Sequence, residues 1–187
     1  MSRFTLLSEP LPGARLLQRE VRGDSRGTLS RLFCAEELAM LGWKSCIAQV
    51  NLTYTSRCGT IRGLHYQHPP YAEKKLVTCI QGRIWDVIVD IRADSPTFLQ
   101  WYAEELSDDN HRSLLIPEGF AHGFQTLSDE VEILYCHSAV HVPAAEGGLC
   151  PLDPRLQISW PLPITEISVR DHQHPALNDN FQGIVIQ

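Results

Sequence analysis

From residue 47 onward, apolar and polar positions alternate in short runs: Ile47 to Thr55, Gly59 to Tyr66, Lys75 to Ile80, Arg83 to Ile91, Gln100 to Leu106, Ser113 to Ile116, Gly123 to Leu127 and Val131 to His137. Turn signals separate them, among them Gln81-Gly82, Asp94-Ser95-Pro96, Asp108-Asp109-Asn110 and Pro117-Glu118-Gly119. Short strands at this spacing predict an antiparallel sandwich or barrel. In the run Arg83 to Ile91, Trp85, Val87, Val89 and Ile91 share one face, and Ile84, Asp86, Ile88 and Asp90 share the other. Two carboxylates among isoleucines fit a lumen with polar lining, and a solvent face is the alternative. Before residue 47 the chain offers short apolar pieces cut by Gly13, Gly23 and Gly27, with Gly23-Asp24-Ser25-Arg26-Gly27 a turn. Ala35 to Leu41 is the best helix candidate, and Gly42 stops it. Beyond Pro143 prolines and glycines break every candidate element, so residues 144–187 read as an irregular tail whose Leu152, Ile158, Trp160, Leu162 and Ile167 pack onto the barrel.

Composition narrows the function classes. A chain of 187 residues with 43% apolar content suits one core, so residues 1–187 read as a single domain. A net charge of -6 and a pI near 5.7, with no basic stripe, argue against nucleic acid or a membrane surface as partner. The N-terminus reaches three apolar residues in a row before Glu9 and Pro10, too few for a signal-peptide core or membrane span, so a cytoplasmic protein is expected. Cys34, Cys46, Cys58, Cys79, Cys136 and Cys150 form no C-x-x-C pair and read as reduced thiols outside the chemistry.

Two stretches could carry chemistry. Ile61 to Val77 places Arg62, His65, Lys74 and Lys75 in two apolar runs divided by Pro69 and Pro70. A phosphate-reading cation, a group that takes a proton near neutral pH and a cation that steadies a nascent anion are what enolate chemistry on a phosphorylated substrate needs. Solvated strand-edge charges around a core histidine are the alternative, and this stretch alone does not choose between them. The second stretch, Ile116-Pro-Glu-Gly-Phe-Ala-His122-Gly-Phe, resembles the second half-motif of the cupins, whose barrels put that histidine in the lumen. Where a metal-binding cupin carries His-x-His, this chain reads His65-Tyr66-Gln67, and its acidic position falls in Glu73-Lys74-Lys75. Histidines facing a lysine repel a divalent cation, so the site reads as metal-free.

Arg62-Gly-Leu-His65, Lys75-Leu-Val, Asp86-Val-Ile-Val-Asp90-Ile-Arg, Ser95-Pro-Thr-Phe, the His122 stretch, Leu134-Tyr135, Trp160-Pro and Ser168-Val-Arg-Asp171 occur in the order found in the dTDP-4-dehydrorhamnose 3,5-epimerases. The resemblance runs from Gly23 to Leu177. It implies a mainly β fold, a cupin-type double-stranded β-helix (jelly-roll) barrel with a few short peripheral helices. It further implies cofactor-free epimerisation at C3, C5 or both of a nucleoside-diphosphate 4-keto-6-deoxyhexose in deoxysugar synthesis, by a homodimer whose N-terminal strands, within residues 1–45, reach into the partner's site. By resemblance His65 is the base, Asp171 its carboxylate partner, Lys75 the holder of the enolate oxygen and Tyr135 the acid on the opposite face. His122 lines the same pocket, Arg62 and Arg26 clamp the diphosphate, and Gln49 and Asn51 lie near the sugar and nucleotide. His68, His111, His172 and His174 sit in polar or turn contexts and read as solvated.

The chain departs from the family where aromatic rings stack on the base: it has Thr28-Leu29-Ser30-Arg31 and Val140-His141. Stacking contributes about 1–3 kcal/mol per base, so a weaker hold on thymine or another base follows, with Arg22 and Arg31 as candidate readers. Three rival readings stand beside the first. They are a mono-epimerase acting on a CDP- or GDP-linked sugar, a non-catalytic sugar-nucleotide-binding barrel, and a metal-dependent cupin using His65 and His122.

Overall fold

The computed structural model describes residues 2–186. Its elements in chain order are β1 (Phe4–Leu11), β2 (Ala14–Arg19), β3 (Val21–Asp24), β4 (Gly27–Ser30), α1 (Ala35–Met40), β5 (Gln49–Thr55), β6 (Thr60–Gln67) and β7 (Lys75–Gln81). They continue with β8 (Arg83–Asp90), β9 (Trp101–Ser107), β10 (Arg112–Ile116), β11 (Phe120–Thr126), β12 (Val131–His137), β13 (Glu146–Gly148), β14 (Glu166–Ile167) and α2 (Val169–His172). One sheet runs β1-β2-β10-β7-β12-β5; the other runs β13-β6-β11-β8-β9, with β14 added in parallel to β6. The β3–β4 hairpin stands apart as a two-stranded ribbon.

Side-chain alternation on each strand decides what lies between the sheets. Leu16, Val77, Leu114 and Ile133 from the first sheet meet Ile84, Ile88, Phe120 and Phe124 from the second in one buried cluster. That interior makes the molecule a cupin-type β-barrel. On β8 the face carrying Asp86 turns inward with Ile84 and Ile88, while Val87 and Val89 turn outward. Burial of Asp86 is tolerated because His122 Nε2 lies 2.7 Å from its Oδ1. Asp90, at the strand's end, is saturated by Arg92, Ser95 and Thr97.

The outer faces are covered by different means. Over the second sheet lies the C-terminal tail, whose Leu149, Leu156, Leu177 and Ile184 pack on Val87, Val89 and Ile91. Over the first, Leu38 of α1 and Trp43 bury against Leu17, Leu76, Leu115 and Cys136. The tail also follows the free edge of β6. Glu146–Gly148 pairs antiparallel beside His65 to Gln67, and Glu166–Ile167 pairs parallel beside Thr60 and Ile61. Four residues past Ile167 the chain, in α2, reaches Asp171. The strands expected from the sequence recur with shifts at their ends; β11 begins at Phe120, three residues earlier than the pattern predicts, so His122 stands on a strand. β1 and β2 have no counterpart among the strand runs read from the sequence, because β1 exposes most of its residues and shows no clean alternation.

Candidate active site

One cavity of about 430 Å³ opens from the barrel, and both sheets line it. From the first sheet, β5 presents Gln49, Asn51 and Thr53 to the cavity, and β12 presents Tyr135 and His137. The strands are in register, Tyr135 opposite Asn51 and His137 opposite Gln49, with Lys75 of β7 opposite His137 on the other side. From the second sheet, β6 contributes Arg62 and His65 and β11 contributes His122, which is the cross-strand partner of His65. Gly63 and Gly123 make that pairing so close. A Cβ on Gly63, whose φ is +119°, would stand 2.5 Å from Gly123 Cα, and a Cβ on Gly123 would stand 2.6 Å from the Arg62 carbonyl oxygen.

Four imidazole–carboxylate pairs surround the cavity, the loosest being His141 with Glu146, Nε2 to Oε2 at 3.4 Å. His65 Nε2 lies 2.8 Å from Asp171 Oδ1, and the other carboxylate oxygen accepts from Gly63 N–H at 3.0 Å. Asp171, which only accepts, asks for a hydrogen on Nε2, while Arg170 Nη2, 3.0 Å away and only a donor, asks for a lone pair there; the shorter bond to the charged carboxylate decides for the hydrogen, which leaves the lone pair of neutral His65 on Nδ1. Burial works against charge on Asp171, but the bonds from His65 and Gly63 outweigh it and hold the carboxyl well below the usual range. Ser168 caps α2 by accepting from the Asp171 N–H, fixing that carboxylate's backbone. The second pair is His122–Asp86. In the third, His137 Nδ1 lies 2.8 Å from Glu73 Oε2, and Lys75 Nζ lies 3.4 Å from Glu73 Oε1 and 3.4 Å from the His65 carbonyl oxygen.

Tyr135 stands between two of these imidazoles, edge-on to His122 at 5.9 Å and stacked with His137 at 6.0 Å between ring centroids. Burial and the negative charge of Asp86 push its hydroxyl well above the ordinary phenol range, so it is a protonated acid at neutral pH. His65 and Tyr135 therefore face one cavity from opposite sheets, and Lys75 reaches across from β7 to bring its ammonium 3.4 Å from the His65 carbonyl oxygen. Such a set can take a proton from one face of a bound carbon, hold an oxyanion and return a proton to the other face.

Of the residues singled out in the sequence, His65, Lys75, Tyr135, His122, Arg62, Gln49 and Asn51 line the cavity, and Asp171 backs His65. Arg26 does not line it. Arg26 sits at the tip of the β3–β4 hairpin, paired with Asp24, its side chain 87% exposed. Arg22 and Arg31 are tied to Glu20 and Glu37 on the surface, and neither lines the cavity. His174 is half-buried rather than fully solvated: its ring packs edge-on to His65, 6.4 Å away between centroids, against Gly148, and its Nε2 is buried without a partner. Burial and the neighbouring His65 lower its pKa. Glu73, which the sequence marks only as the acidic position of a metal half-motif, and Arg170, which reads as a surface charge, join the site unforeseen; Arg170 pairs with Glu146 and brings Nη2 to 3.0 Å from His65 Nε2. Among the described residues, His65, Asp171 and His174 form the one grouping with metal-ligand spacing, their ligand atoms within 4.8 Å. The Arg170 guanidinium sets a fixed positive charge against a cation there.

A cupin-type barrel with proton-handling groups on facing walls defines the class, an enzyme that rearranges its substrate by moving protons, an epimerase. The profile of the dTDP-4-dehydrorhamnose 3,5-epimerase family matches residues 8–179. The Streptomyces griseus dTDP-4-dehydrorhamnose 3,5-epimerase is 40% identical over 88% of this chain and 82% of its own. The Bacillus anthracis dTDP-4-dehydrorhamnose 3,5-epimerase, solved with TDP and PPi bound, superposes with a TM-score of 0.88 at 40% identity, covering 93% of this chain and 99% of that one. The Legionella pneumophila dTDP-6-deoxy-D-glucose-3,5-epimerase, solved in complex with dTDP-4-keto-L-rhamnose, superposes at 0.91 with 34% identity, covering 98% and 99%. The chain belongs to the dTDP-4-dehydrorhamnose 3,5-epimerase family.

Proposed function

We propose that this chain epimerises carbons adjacent to the ketone of a dTDP-linked 4-keto-6-deoxyhexose, with its own side chains moving the protons. The placement of His65 and Tyr135 on opposite walls of one cavity, with Lys75 between the sheets, is the observation that carries the reading. His65 Nδ1 takes the proton from the carbon next to the ketone; the C–H electron pair becomes the enolate, whose negative oxygen is held by the Lys75 ammonium. The Tyr135 phenol then gives its proton to the opposite face of that carbon, and the ketone re-forms. Asp171 stabilises the imidazolium that His65 becomes. Arg62 supplies a guanidinium suited to the diphosphate, a planar donor that bonds phosphate oxygens in pairs, and Gln49, Asn51 and His122 contact the sugar nucleotide.

In this reading the enzyme is a homodimer. The edge strand β5 that lines the cavity exposes Val50, Leu52 and Tyr54 on its other face, each more than half exposed, and an apolar stripe on a free sheet edge favours a partner strand. The β3–β4 hairpin, which lines no part of its own cavity, then carries Arg26 to the partner's diphosphate. The chain's six cysteines are free thiols, which fits a cytoplasmic enzyme; among the described residues no helix is long and apolar enough to cross a membrane.

The test is exchange in deuterium oxide. The parent protein incubated with dTDP-4-keto-6-deoxyglucose gains deuterium at the epimerised carbons, and His65→Asn reduces the rate by about 10²–10⁴-fold. Retained wash-in by that variant would remove His65 as the base.

A further inference from the structure

Glu73 is absent from the chemistry just described, yet among the described residues it is the one carboxylate that bonds both Lys75 and a ring stacked on Tyr135. Its side chain is 9% exposed, and it divides its oxygens, Oε2 to His137 Nδ1 at 2.8 Å and Oε1 towards Lys75 Nζ at 3.4 Å. His137 in turn lies parallel to the Tyr135 ring, 27° between planes. Lysine has a flexible four-carbon stem and a mobile ammonium; an ammonium that must meet one oxygen needs holding from behind. A carboxylate on one side and the His65 carbonyl on the other give Lys75 two such contacts, leaving a third N–H free for the cavity.

We propose that Glu73 and His137 are a positioning pair, Glu73 holding Lys75 at the reacting carbonyl and His137 fixing the plane of Tyr135. The inference rests on the functional reading above, in which Lys75 and Tyr135 act on a keto sugar. Burial opposes the charge on Glu73, but the bonds from His137 and Lys75 outweigh it and keep the carboxylate ionised. The other titratable groups around a recess of about 140 Å³ that Glu73 shares with the main cavity are His65 and Tyr66 from β6, His141 from the following loop and Glu146 from β13. Removing the charge of Glu73 leaves the Lys75 ammonium without the counter-charge that lies 3.4 Å from it.

The experiment compares pH–rate profiles of Glu73→Gln and Glu73→Asp with the parent, reading deuterium wash-in and following folding by thermal melting. Glu73→Gln keeps the shape and loses the charge. It is expected to lower kcat by about 10- to 100-fold with KM little changed and to move the alkaline limb down by about 1 pH unit. Glu73→Asp should return the limb to its parent position. An alkaline limb unmoved in folded Glu73→Gln would overturn the proposal, as a purely structural carboxylate predicts. Should Glu73→Gln fail to fold, His137→Gln decides. It can still donate to Glu73 but cannot stack, so it should lose kcat with the limb unmoved; parent kcat would overturn the pair. A parent protein that exchanges nothing would overturn the functional reading, and this inference with it.

Discussion

Asp171 shows how far one residue's chemistry was readable before its surroundings were known. Ser168-Val-Arg-Asp171 marks a candidate, but nothing local tells that the carboxylate lies beneath His65, because a parallel strand pair 106 residues apart in sequence places it there. The roles of Glu73 and His174 were hidden for a related reason: a glutamate beside two lysines, noted only as the acidic position of a metal half-motif, and a histidine before a proline give no local sign of the imidazoles that the fold sets against them. The depressed pKa of Asp171 has a consequence for stability. Its folded value lies below the unfolded one of about 3.9, so the unfolded chain binds the proton first. Its contribution is complete above about pH 5 and is lost as the pH falls towards the folded value. Urea midpoints of the parent and Asp171→Asn between pH 6 and pH 3 should therefore converge on acidification. A constant offset would mean that the carboxylate's charge contributes nothing. Asp90 and Glu73 have depressed values too, so the variant should flatten only part of the acid decline.

At the level of elements, alternation made the barrel legible. The inward face of β8, with two carboxylates among isoleucines, was assigned to the lumen or to solvent from its pattern, and the His122–Asp86 bond settles it as lumen. Strands with weak alternation escaped: β1 is mostly exposed, and β3 and β4 bury little. The close approach of β6 and β11 was equally hidden, since Gly63 and Gly123 look like ordinary turn or strand glycines. Their function is to let His65 and His122 stand side by side. Gly123→Ala forces a methyl against the Arg62 carbonyl and Leu64, so the two strands must part. Overpacking of this kind costs about 1–3 kcal/mol, or about 2–12 °C in Tm at this chain length, measurable by calorimetry. Wash-in should fall as well, because the strand that shifts carries the base. An unchanged Tm would show that the strands absorb the methyl without separating.

For the whole molecule the open question is where Arg26 acts. Within one chain no residue of the β3–β4 hairpin lines the cavity, Leu29 is 68% exposed and Arg26 is held only by Asp24. Leu29 on the hairpin and the Val50, Leu52 and Tyr54 stripe on β5 are exposed apolar surface that a lone chain leaves in water and two copies related by a twofold axis can cover. If each hairpin serves the other copy's cavity, every active site combines Arg26 from one chain with His65 from the other. The arrangement has a signature that no monomer can produce. Arg26→Ala and His65→Asn homodimers should each be nearly inactive. Unfolding them together and refolding should restore activity to the mixture, because in the mixed dimer one cavity joins an intact His65 to the partner's intact Arg26. The other cavity carries both defects. With random pairing half the dimers are mixed and each has one competent site of two, so recovery of about a quarter of parental turnover is expected. If Arg26 served its own chain's cavity, every site in every dimer would carry one defect or the other, and refolding together would restore nothing.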